Sequence, residues 1–201
     1  MLDRTATALI KPLINRIARL LVRAGLSATQ VTLAGFFIGL LAAILIAGHA
    51  YLAGAIAIFV SRLCDALDGA VARLTQVTDR GGFLDIALDF LFYASIPLAF
   101  ALADPTRNAL PAAVLLAAFI GTGSSFLAFA VMAAKRDMTS VAYPDKSFYF
   151  LGGLTEATET LAVFAAMCAW PGQFAALAYG FAALCSITVL TRIGWGWRAF
   201  S

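Results

Sequence analysis

Four aspartates, Asp65, Asp68, Asp85 and Asp89, stand in one stretch, DALDGAVARLTQVTDRGGFLDIALDF, bordered on both sides by long apolar segments. On helices Asp65 and Asp68 are i and i+3, and Asp85 and Asp89 are i and i+4, so each pair shares a face. Joined by a loop of about eight residues, the two helices are expected to be antiparallel neighbours, and the four carboxylates converge on one point. A charged side chain at a bilayer centre costs about 2.5–3.5 kcal/mol even on lenient insertion scales. Such a cluster therefore demands positive charge. Arg62 and Arg73 can supply part of it, and a purely structural ion-pair network is the plainest account of the set. The richer account is a metal site. Oxygen ligands favour hard divalent ions, Mg²⁺, Mn²⁺ or Ca²⁺. Four carboxylates suffice for two ions with shared ligands, the arrangement that clamps attacking and leaving oxygens in phosphoryl chemistry.

Small residues between the acids add a second constraint. Gly69 and Ala72 follow Asp65 at i+4 and i+7, on the carboxylate face, and leave a shallow groove for a flat group. Arg73 at its mouth is suited to grip a phosphate bidentately. Gly81 and Gly82 are expected to open the next helix with free N–H groups that can receive an anion.

The elements that must position these groups are membrane helices. The chain has 201 residues, 62% hydrophobic and 12% charged, with a mean hydropathy of +0.91, which excludes a water-soluble globular domain. Cys64, Cys168 and Cys185 fall inside apolar segments and read as small core residues, and the basic N-terminal stretch reads as retained rather than as a cleavable signal. A membrane span takes about 20 mostly apolar residues. By that measure an all-α, polytopic membrane protein is expected, with six transmembrane helices at 27–48, 51–73, 82–103, 109–134, 147–170 and 174–197. They follow an N-terminal amphipathic helix, 1–25, lying in the lipid surface, its apolar residues at helical spacing and its Arg and Lys largely on the other face. One domain, 1–201, accounts for the chain. Lys and Arg gather before the first span, between the second and third, between the fourth and fifth, and at the end, so both termini are expected in the cytoplasm. The aspartates then sit about 5–12 Å below the cytoplasmic boundary.

Two further polar clusters reach a similar depth: residues 121–125, which include Ser124, and residues 155–160, where Glu156 and Glu159 are i and i+3. Intramembrane charges are functional candidates by default, and these three residues are the candidate lining of an acceptor pocket, with a helix–helix hydrogen-bond cluster as the alternative. Two acids there suit a polyol or an amine, whereas Lys135, Arg136, Lys146 and Arg192 suit a phosphorylated acceptor. A rival reading of the aspartates is an intramembrane divalent-cation transporter, since acids on neighbouring helices also mark ion pathways.

The spacing Asp65-x2-Asp68-Gly69-x2-Ala72-Arg73-x7-Gly81-x3-Asp85-x3-Asp89 resembles the signature of the CDP-alcohol phosphatidyltransferases. The stretch KSFYFLGGLTEATET is further similar to a bacterial inner-membrane branch of that family, the YnjF-like proteins. The resemblance implies transfer of a phosphatidyl group from CDP-diacylglycerol, or a similar CDP-alcohol, to an acceptor alcohol, with release of CMP. It also implies two divalent ions, Mg²⁺ or Mn²⁺, ligated by Asp65, Asp68, Asp85 and Asp89, with Asp89 also the proton acceptor. Gly69, Ala72, Arg73, Thr78 and Gly81 would contact the CDP moiety. Thr29 and Thr32 would approach it from the start of the first span, where relatives carry a Pro-Asn element that this chain lacks. A homodimer in the bacterial inner membrane is implied, with its active site facing the cytoplasm and no nucleic-acid partner. Glycerol 3-phosphate, serine, inositol-type and phosphatidylglycerol acceptors all remain open.

Overall fold

A computed structural model describes residues 2–136, 138 and 155–201, residues 2–10 by their backbone alone. Among the described residues every regular element is helical: α1 (Leu2–Arg23), α2 (Ala28–Ala47), α3 (Tyr51–Leu74), α4 (Asp79–Ala103), α5 (Pro105–Lys135), α6 (Ala157–Ala169) and α7 (Phe174–Ala199). A 3₁₀ turn, Pro171–Gln173, leads into α7. The helices begin where local chemistry starts them. Ser27 opens α2 with a capping box, its Oγ accepting from the Gln30 N–H at 3.3 Å while Gln30 Oε1 accepts from the Ser27 N–H at 2.9 Å. Asp104 Oδ1 accepts from the Arg107 N–H at 3.2 Å, with Pro105 at the first turn of α5, so that helix starts ahead of the expected 109. Thr78 caps α4, drawing residues 79–81 into the helix ahead of the expected start at 82. The α3–α4 connection is therefore residues 75–78, shorter than the loop expected from hydropathy.

The all-helical membrane class holds. α2, α4, α5 and residues 171–199 are each long and apolar enough to cross a membrane. α3 has the length but carries Arg62, Asp65, Asp68 and Arg73, and α6 has 13 residues. Length and composition thus single out four of the six expected spans. Lys146 and the start of the span expected at 147–170 lie outside the described residues.

α2 is the hub of the acid-bearing half, packing on both α3 and α4, which do not pack closely on each other as neighbours in sequence would be expected to. The cause lies in two glycines. A Cβ at Gly35 would stand 2.7 Å from the Cys64 Cβ, and one at Gly39 would stand 2.5 Å from Phe92 Cδ2. Only a bare backbone lets α2 lie this close to α3 and α4 at once. The same helices share a core of Ala42, Ile46, Ile58, Phe92, Ile96 and Phe100, which continues through Phe164 and Phe174 to α7. Phe37, Ile44, Leu102, Ile120 and Leu190 point outward, each at least 63% exposed, as lipid-facing side chains should.

α1 departs from the simple interfacial helix. Ile14 and Ala18 are buried against Leu67, Ala70 and Val71 of α3 and Val31 of α2, while Leu13 and Leu20 stay exposed. One apolar line is thus spent on protein and another is left for lipid, which anchors α1 to the acid-bearing end of α3.

Gly39→Ala should test this packing, because its Cβ meets a fully buried ring with little freedom to retreat. Overpacking of this kind costs about 1–3 kcal/mol. A lowered thermal unfolding midpoint in detergent, followed by tryptophan fluorescence, is expected; an unchanged midpoint would show that the helices can separate without loss.

Candidate functional site

Near the end of α3 that leads into α4, Thr32, Gly35 and Phe36 of α2, Ser61, Arg62, Asp65 and Asp68 of α3, and Asp85, Leu88 and Asp89 of α4 line one cavity. All four sequence-predicted aspartates are brought together there. Their convergence depends on α2, which floors the space between two helices that are held apart. The cavity holds about 10 Å³, the scale of a single water or ion. A nucleotide is far too large for it.

Within the cluster the acids divide. One ligand oxygen each from Asp65, Asp68 and Asp85 lies within 4.8 Å of the others. Asp68 is buried, and its Oδ2 has no hydrogen-bond partner among the described residues. Asp89 is engaged differently: its Oδ1 accepts from Arg62 Nη1 at 2.6 Å, and the same nitrogen lies 3.4 Å from Asp65 Oδ1. Arg62 is itself held through its two terminal nitrogens and its flat face, while its buried Nε has no hydrogen-bond partner among the described residues. Its guanidinium lies over the Phe92 ring, 3.9 Å from the centroid, a cation–π contact that gains strength away from water. Nη2 donates to Ser61 Oγ at 3.3 Å, and Ser61 donates to the Gly35 carbonyl at 2.8 Å.

A hard divalent cation fits these residues. The donor set is carboxylate oxygen, the space is ion-sized, and a buried Asp68 oxygen waits without a partner.

The residues expected around a nucleotide are placed unevenly. Thr32 is in the cavity wall, whereas Thr29 sits one turn earlier on α2 and, like Gly69, Ala72, Arg73, Thr78 and Gly81, outside the lining. Arg73 folds over Gly69, where a Cβ would meet its Nη1 at 3.3 Å. The glycine N–H groups expected to be free are taken: Gly81 donates to Thr78 Oγ1 and Gly82 to the Thr78 carbonyl, both at 3.1 Å. The tight cap that starts α4 early consumes them.

The proposed acceptor residues also acquire local partners. Ser124 Oγ donates to the Gly121 carbonyl at 3.2 Å. Glu156 precedes α6 rather than sharing a helix face with Glu159, and the Glu159 carboxylate accepts from the Glu156 N–H at 3.1 Å, as a cap does. Arg136 donates to the carbonyls of Ala199 and Phe200, at 3.2 and 2.6 Å, closing the end of α7. Arg192, one of the basic residues that suit a phosphorylated acceptor, is 8% exposed and donates from Nη1 to the Thr122 carbonyl at 3.0 Å. Sequence reasoning missed Ser61 and the clamping role of Arg62. Both stand one turn before Asp65, at i−4 and i−3, and could have been found by following the acid face backward.

A membrane bundle with converging acids on two helices linked by a short turn defines an enzyme class here, because the family model for CDP-alcohol phosphatidyltransferase matches residues 26–192. The chain belongs to the CDP-alcohol phosphatidyltransferase family and is a membrane-embedded phosphatidyltransferase. It is 52% identical to the inner membrane protein YnjF of Escherichia coli over 98% of this chain and 96% of that one. It is 38% identical to the archaetidylinositol phosphate synthase of Pyrococcus horikoshii over 49% of this chain and 53% of that one. In fold it is similar to the crystal structure of Mycobacterium tuberculosis phosphatidylinositol phosphate synthase (PgsA1) with CDP-DAG bound, with a TM-score of 0.75 at 22% identity, covering 92% and 94% of the two chains. The same enzyme in complex with manganese and citrate gives a TM-score of 0.70 at 22% identity, covering 92% and 88%.

Thr78 separates a cap from a substrate contact. Thr78→Ala should lower stability by about 1 kcal/mol, read as a lower unfolding midpoint in detergent, and Thr78→Ser should restore it. An unchanged midpoint with a raised KM for the CDP-lipid would give the hydroxyl to the nucleotide instead.

Proposed function

We propose that this enzyme transfers the phosphatidyl group of CDP-diacylglycerol, or of a similar CDP-alcohol, to the hydroxyl of an acceptor alcohol, with Asp65, Asp68, Asp85 and Asp89 holding two divalent ions, Mg²⁺ or Mn²⁺, and Asp89 also accepting the proton. The observation that carries this reading is the convergence of three carboxylates on an ion-sized cavity with Asp89 in its wall. One fold neighbour binds CDP-DAG and another structure of the same enzyme is in complex with manganese, which supports the choice of donor and ion.

Bound at the four aspartates, divalent ions would neutralise the negative charge of the donor's diphosphate. The chain's own groups do the rest. Asp89 takes the proton of the acceptor hydroxyl. The acceptor oxygen then forms a bond to the lipid-side phosphorus, the bond from that phosphorus to the bridging oxygen breaks, and CMP leaves with the electron pair. Asp89 afterwards releases its proton to water. Since the cavity admits only an ion, the cytidine lies outside it, over Gly69 and Ala72, with Arg73 closing on a phosphate and Thr29, Thr32, Thr78 and Gly81 at the same end. The basic residues around this end favour the cytoplasmic side for it and for both termini. A polar acceptor then arrives from water while acyl chains stay in lipid. Ser124, Glu156 and Glu159 belong to the acceptor side of the site, and the working unit is a homodimer.

Purified protein given radiolabelled CDP-diacylglycerol, Mn²⁺ and a panel of alcohols should release CMP, and chelation should stop it. Asp89→Asn should lower the rate at least about 100-fold. No metal-dependent CMP release with any acceptor, or an undiminished rate in Asp89→Asn, would overturn the mechanism, and metal uptake into vesicles would favour a transporter.

A further inference from the structure

We infer that α1 reads the charge of the membrane surface: anionic headgroups held by Arg16, Arg19 and Arg23 seat the helix on the turn of α3 that carries Asp68, coupling the site to the composition of the bilayer. The functional end of this inference rests on the cation role proposed above for Asp68. The seating of α1 does not.

α1 presents three faces. Ile14 and Ala18, 5% and 0% exposed, lie against Leu67, Ala70 and Val71 of α3 and Val31 of α2. Leu13 and Leu20, 59% and 55% exposed, form a second line that suits acyl chains. Arg16, Arg19 and Arg23 are all exposed and stand at i, i+3 and i+7, on a third face. Their charge is not balanced within the helix, since Asp3 is the only acid in the chain before Asp65. A cationic face beside an apolar one is the pattern that binds an anionic membrane surface, and each arginine there strengthens attachment about fivefold.

The protein-facing line extends the effect to the site. Leu67 and Val71 lie on either side of Asp68 in α3, and Val31 precedes Thr32 in α2; Asp68 and Thr32 both line the ion-sized cavity. α1 therefore packs on the same turns that supply the cavity wall. Ala18 and Val71 are fully buried, so withdrawal of α1 would strip that turn of its cover. Gly25, at φ +79°, gives the helix a joint: its N–H and that of Leu26 donate to the Val22 and Leu21 carbonyls at 3.0 Å, closing α1 just before α2 begins. A lipid that binds the seated helix better raises the seated population. The apparent affinity of the site for its cation then follows the seated fraction.

The experiment uses the full-length protein in nanodiscs of phosphatidylcholine alone or mixed with phosphatidylserine, neither of which has a hydroxyl that could serve as acceptor. Amide hydrogen exchange over residues 14–22 and 65–72 reads seating, and metal-dependent CMP release reads the site. With phosphatidylserine the wild type should exchange both segments more slowly and release CMP at least about fivefold faster. High salt should erase the difference. Arg16→Gln/Arg19→Gln/Arg23→Gln should behave in both bilayers as the wild type does in phosphatidylcholine. Ile14→Ala should keep the lipid protection of α1 while residues 65–72 cease to respond. Equal exchange of residues 65–72 in the two bilayers would overturn the inference. So would a triple variant that keeps the full phosphatidylserine response, because anionic lipid would then act by concentrating Mn²⁺ at the surface. Should the triple variant fail to fold, the salt titration of the wild type decides: a response that fades supports the inference, and one that survives overturns it. A wild type that shows the exchange response yet releases no CMP would sink the proposed function and leave the seating of α1 standing.

Discussion

One guanidinium, that of Arg62, links the two helices that carry the acids. Its Nη1 reaches Asp89 at 2.6 Å and Asp65 at 3.4 Å, crossing a gap that α3 and α4 do not close by packing on each other. Like charges brought together away from water repel strongly, and without a cation between them the helices would be driven further apart. The ring of Phe92 beneath the guanidinium and the Ser61 hydroxyl beside it make the cation a fixed part of the scaffold. That one contact ties α3 to α4 across the site that α2 floors.

The role of α2 follows. Its glycines at 35 and 39 are required because the helix must touch Cys64 on one neighbour and Phe92 on the other. By lying in the groove between α3 and α4 it substitutes for the direct contact those helices lack. α1 then braces α3 from outside through Ile14 and Ala18. The acid-bearing helices are thus supported by their neighbours in the bundle, so the cavity between them is preserved instead of collapsing.

Much of this was legible in the sequence. The spacing of Asp65, Asp68, Asp85 and Asp89 fixes which face each occupies, since helical periodicity is a local property. Hydropathy placed α2 and α7 to within a few residues, because their ends coincide with caps and turns visible in the chain. Three features were hidden for definite reasons. The early start of α4 depended on whether the Thr78 hydroxyl would be spent on Gly81, a competition between two plausible partners. Glu156 and Glu159 read as two acids on a helix face because periodicity does not reveal that the helix begins between them. The partner of Arg62 lies 27 residues away on another helix, and spacing within one element carries no information about such a choice.

The short connection between α3 and α4 has a mechanical consequence. Leu74 and Asp79 are separated by only residues 75–78, and a chain of that length spans about 17 Å even when fully extended. The acid-bearing ends are therefore leashed. Any widening of the wedge between α3 and α4 at this end is bounded by the reach of those four residues.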